Sequence, residues 1–194
     1  MQDFWFYIKL GLEHVLDLSA YDHILFLSAL AIPFTFKSWK PVLVLATIFT
    51  ITHCTSLAFS VYGIFSIDVE LIEFLIPVTI ALTAILNFFR VFRKEHVTGI
   101  YFQCLATAFF GLIHGFGFSN YFNMLMAEEE HKLSPLLGFA TGIEFSQIII
   151  ILMILTIAYL MQSVLKVKQS IFIGVTSILI LIATIPMLIE TFPN

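Results

Sequence analysis

The chain has 194 residues, of which 60% are hydrophobic and 11% charged, and its mean hydropathy is +1.02. That composition excludes an ordinary soluble domain, and a net charge of −4 without basic clusters excludes nucleic acid as a partner. The length allows six or seven helical spans of ~20 residues, with little left for anything outside a lipid bilayer. The expected fold is therefore all-α and polytopic: one integral membrane domain over residues 1–194, about six transmembrane helices plus a short N-terminal interfacial or re-entrant helix.

Phe4 to Leu16 is apolar and aromatic but short, and it carries Lys9, Glu13 and His14. This is the segment read as interfacial or re-entrant. Asp17 or Ser19 is expected to cap a first span from Ala20 to about Phe36, with a bend near Pro33. The second span is expected over Pro41 to Tyr62, the third from about Glu70 to Phe92 with Pro77 as a kink, and the fourth from about Gly99 to Phe122. The fifth runs from Pro135 to about Ser163 and the sixth from about Ser170 to Phe192. Cys54 and Cys104 both lie in apolar runs, which argues against a disulfide framework or a thiolate metal site. The opening MQDFWFYIKLGLEH has no basic n-region and no small-residue cleavage site, so the first helix is expected to serve as its own targeting signal.

Of the nine Lys and Arg residues, Lys37, Lys40, Arg90, Arg93, Lys94, Lys166 and Lys168 fall on one side of this arrangement, and only Lys9 and Lys132 on the other. Basic loops are retained on the cytoplasmic side, so the expected location is the inner (cytoplasmic) membrane with both termini external. The acidic loop Ala127 to His131 then faces outward with Asp68, Glu70 and Glu73. Such a rim gathers cations. Solvation alone also produces acidic loops.

Polar groups intrude into the spans at similar depth. Asp22 and His23 open the first, His53 lies in TITHCTSL, His114 in FGLIHGFGFSNY, and Glu144 in GFATGIEFSQ. A buried polar ring costs several kcal/mol unless something binds it, and intramembrane ionisable groups mark ion pathways, proton relays or sites. His14 and Asp22 are eight apart, so on one continuous helix His23 would point away from His14; their convergence requires a break near Leu18 or Ser19. Asp22 reads either as a helix cap or as the carboxylate that orients a ligating imidazole. His53 reads either as a ligand or as part of a hydrogen-bonding stripe with Thr50, Thr52 and Ser56. Gly111 with Gly115, and Gly138 with Gly142, have the spacing of close helix packing. His96 and His131 lie in expected loops and read as solvated.

Imidazoles with carboxylates, and with amide and hydroxyl oxygens nearby, suit divalent nickel, cobalt, zinc or iron. The expected metal set is His23, His53, His114, Glu144 and Asp22, with His14 open, supported by Ser56, Gln147, Thr52 and Asn120. Two activities fit this set. One is a divalent-metal permease, which must be passive or driven by an ion gradient because there is no nucleotide-binding motif. The other is an intramembrane zinc hydrolase acting on a lipid or peptide, with Glu144 or Asp22 as general base. A partner subunit without chemistry would instead tolerate apolar replacements at these positions. Monomer and homo-oligomer are both compatible with the sequence.

Four segments resemble the HupE/UreJ membrane proteins, in the branch without a leader peptide. They are His14 with Asp22-His23-Ile24-Leu25-Phe26-Leu27, the run Ile51 to Leu57 around His53, Phe110 to Phe118 around His114, and Gly142-Ile143-Glu144-Phe145-Ser146-Gln147. Seven residues separate His14 from Asp22 where that family has five, and Cys54 and Ser146 stand where it has Ser and Gly. The resemblance implies nickel or cobalt uptake, linked in the family to hydrogenase or urease maturation.

Overall fold

The computed structural model describes residues 4–65, 67–93, 100–127, 129 and 131–193, without the side chains of residues 92 and 93. His96, Lys94, Glu128 and Glu130, read above as loop residues, lie outside the described residues. In order come α1 Phe4–Leu16, α2 Asp22–Ala31, α3 Trp39–Val61, α4 Val69–Arg93, α5 Ile100–Met126, α6 Leu133–Tyr159 and α7 Gln169–Glu190. A 3-10 turn, Phe36–Ser38, leads into α3, and a π turn, Leu160–Val164, prolongs α6. The described chain is all-α. Five segments are long and apolar enough to cross a membrane: Phe36–Val61, Val69–Val91, Ile100–Met126, Leu133–Val164 and Gln169–Glu190.

The first expected span is where boundaries move. Apolar residues continue through Ile32, Phe34 and Phe36, but the helix stops at Ala31, just before Pro33, which has no amide proton to donate. At ten residues α2 is about 15 Å long, half a bilayer core. Its N-cap is Tyr21, with no side-chain cap bond. Asp17, expected as a cap, instead accepts bonds from the Ser19 amide (2.8 Å) and hydroxyl (2.6 Å), folding the connection back on itself.

The packing shows how the two short helices lie. α1 runs parallel to the first half of α6, with Gly138 against Phe4 and Tyr7 and Gly142 against Ile8 and Leu12. α2 continues toward the other end: Asn87 Nδ2, late in α4, donates to the Ala29 carbonyl (2.6 Å), and Gln169 Nε2, at the start of α7, donates to the Pro33 carbonyl (3.1 Å). Together α1 and α2 follow one path along the bundle, interrupted at residues 17–21. Lys37, Lys40, Arg90, Lys166 and Lys168 fall at the end where that path finishes. Lys132 lies at the opposite end, its Nζ on the Val61 carbonyl (2.9 Å).

Two glycine seams hold the bundle close. A Cβ on Gly111 would meet the Phe49 carbonyl and Thr52, and one on Gly115 would meet the His53 carbonyl and Ser56 Oγ, so α5 rides directly on α3. A Cβ on Gly11 would strike the Phe139 carbonyl, and one on Gly142 the Ile8 carbonyl, so α1 lies backbone to backbone on α6. Buried apolar side chains fill the remainder in two clusters, one around Phe26, Phe49 and Ile80 and the other around Tyr7, Phe122 and Phe139.

Candidate metal centre

The interruption between α1 and α2 brings His14 and His23 face to face, with ring centroids 4.6 Å apart. The α3–α5 seam sets His114 beside the helical turn that carries His53. One ligand atom from each of His14, His23 and His53 lies within 4.8 Å of the others. A metal held at ~2.1 Å by three imidazoles would draw those nitrogens to about 3–3.5 Å apart, so closure of roughly an ångström completes a first shell. His114 adjoins the triad, its ring 5.4 Å from that of His23.

Hydrogen bonds fix which nitrogens are available. A carbonyl oxygen can only accept, so the 2.9 Å bond to the Phe110 carbonyl places a proton on His114 Nδ1 and leaves the lone pair on Nε2. By the same logic the Asp22 carboxylate, 3.1 Å from His23 Nδ1, leaves the His23 lone pair on Nε2. Those two Nε2 atoms, His14 Nε2 and both nitrogens of His53 are buried with no hydrogen-bond partner. A buried polar atom left unpaired costs about 1–3 kcal/mol, so the group is stable only with something bound or at some expense to the fold. Rings of Phe26, Phe49, Phe118 and Phe139 wall the cluster; Phe118 and Phe139 stack at 5.3 Å, and Phe118 lies 4.0 Å from His14.

His14 lines an open cleft of about 730 Å³ between α1 and α5, together with Glu13, Asp17, Phe118 and Tyr121. Leu18, at its edge in the helix interruption, is 81% exposed. Irregular backbone at such a position is tolerated where it lines a cavity.

The other expected site residues fall outside the three-histidine group. Glu144 is half-buried on α6, and its two oxygens accept bonds from Thr47 (2.6 Å) and Thr50 (2.7 Å) of α3. The hydroxyl stripe on α3 thus serves Glu144 rather than His53: Thr52 bonds the Ile48 carbonyl, and Ser56 the His53 carbonyl. Gln147 is fully buried with both amide atoms unpaired, whereas Asn120 is exposed. His131 is exposed, and Glu129 accepts a bond from the Tyr7 hydroxyl at 3.0 Å, tying the acidic loop to α1. Sequence reading passed over Thr47, although it lies one turn from Thr50 on the same face, and it passed over the aromatic wall, whose rings look like ordinary core until the helices are placed.

No curated protein and no solved structure matches the chain. The family model described as HupE / UreJ protein matches residues 1–191. A buried histidine cluster in a bundle of membrane-length helices is what the expected resemblance called for, and with essentially its whole length matched the chain belongs to the HupE/UreJ family.

Proposed function

We propose that the protein is a divalent transition-metal permease of the cytoplasmic membrane, carrying nickel or cobalt, with its acidic end outward and its basic end in the cytoplasm. The observation that carries this reading is the convergence of His14, His23 and His53, each with an unpaired ring nitrogen, with His14 also lining a cleft open to one side. Neutral imidazole is a borderline ligand that replaces part of the hydration shell of such ions, and no thiolate joins the set. Asp22 holds His23 in the ligating tautomer. Family membership supports the same assignment.

The hydrolase reading needs a carboxylate beside the metal that is free to take a proton. Asp22 is engaged with His23, and Glu144 with Thr47 and Thr50, so neither is so placed.

Purified protein in liposomes with a trapped metal-responsive dye tests the permease directly. Wild type should load the lumen with nickel or cobalt, and His53→Ala should reduce the rate to that of empty liposomes. Equal rates for the two proteins would contradict the reading.

A further inference from the structure

The cleft between α1 and α5 and the histidine cluster share a boundary. His23, His53 and His114 are buried and none of them lines the cleft, so approach from that side ends at His14. His14 does line it, yet its Nε2 is buried without a partner. The lone pair a metal needs therefore lies inside, not on the cleft surface. Against that ring rests Phe118, with its centroid 4.0 Å away. Among the described residues, Phe118 is the one phenyl ring that belongs both to the lining of the cleft and to the wall around the histidines.

Phe118 also differs from the other wall rings in having room. Phe26, Phe49 and Phe139 are fully buried, whereas Phe118 is half-buried. It stacks parallel to Phe139, at 5.3 Å and 1°, and meets Tyr121 of the cleft at 5.2 Å. A cavity of about 150 Å³ is enough to hold a benzene ring. The cleft beside Phe118 measures about 730 Å³. A change of side-chain rotamer toward the cleft exchanges one aromatic contact for another, a modest cost beside that of moving a helix.

We propose that Phe118 is the gate between the cleft and the histidines. Swung into the cleft, its ring uncovers His14 Nε2 and admits the divalent ion; returned to its stack on Phe139, it seals the ion among the imidazoles. The inference rests on the permease reading and adds to it the side chain that governs access to the centre. A gate differs from a wall in its kinetics. It stands in the way of entry and exit alike, so trimming it speeds both and leaves their ratio, the affinity, unchanged.

The test uses purified full-length protein in lipid nanodiscs and cobalt(II), whose visible absorption reports imidazole ligation. Stopped-flow mixing gives the association rate, and a chelator chase gives the dissociation rate. Phe118→Leu should raise both about tenfold, and Phe118→Trp, which overfills the position, should lower both about tenfold, with the dissociation constant held within about twofold. Without metal, carbethoxylation of His14 read by mass spectrometry should quicken in the Leu variant and slow in the Trp variant. Thermal melting checks the fold, and Phe118→Met takes the place of a variant that fails it. Cobalt rates or carbethoxylation indifferent to residue 118, or a changed dissociation constant at an unchanged association rate, would overturn the gate and leave the permease reading standing. Wild type that ligates no cobalt, while carbethoxylation still follows residue 118, would instead overturn the permease reading and leave the gate standing.

Discussion

His53 carries the sharpest contradiction between stability and chemistry in this chain. It is fully buried, and neither ring nitrogen has a partner. Replacing an unsatisfied polar group by an apolar one of similar size is often neutral or stabilising. His53→Leu is therefore expected to melt at the wild-type temperature or higher without metal, and to lack the metal-dependent rise in melting expected of wild type. A drop of several degrees in the metal-free protein would mean that the imidazole serves the fold. Glu144 makes the opposite case. Thr50→Val removes one of its two hydroxyl donors without changing shape, and should cost about 1 kcal/mol in denaturation while leaving metal affinity unchanged. That a carboxylate in an apolar run needs partners was legible in the sequence. Which partners it has was not, because α3 and α6 meet only in the folded bundle.

At the level of helices, the glycine spacings were readable and their meaning was half readable. Gly111 and Gly115 do mark a close seam, and it aligns His114 with His53. Gly138 and Gly142 mark another, but its partner is the short α1 rather than a long neighbour, which periodicity cannot tell. Gly142→Val should push α1 off α6, costing roughly 1–3 kcal/mol as overpacking does and weakening metal binding by displacing His14. Thermal melting and metal titration of this variant check both effects; an unchanged affinity would detach His14 from the centre. The interruption near Leu18 was required by geometry, since no unbroken helix turns His14 and His23 toward each other. Its extent was hidden, because hydrophobicity continues past Ala31, where the helix has already ended.

For the whole molecule, composition and loop charge specify most of the architecture: membrane-length helices with basic residues gathered at one end. The sequence did not reveal that Thr83, Asn87 and Gln103, scattered over two helices, line one cavity behind Phe26. Arg90 and Thr107 join them only through tertiary packing. If the basic end is cytoplasmic, an accessible cysteine in place of Lys168 should react with impermeant reagents in inverted vesicles and not in intact cells; the reverse would invert the proposed direction of transport.

In the proposed permease the histidines jointly hold one divalent metal ion inside the bundle. The most direct measurement is X-ray absorption on purified protein loaded with nickel, beside His53→Ala prepared identically. One ion per chain, with imidazole scattering that weakens in the variant, is the predicted result. Nickel coordinated by oxygen alone, or identical spectra and stoichiometry in the two proteins, would contradict it.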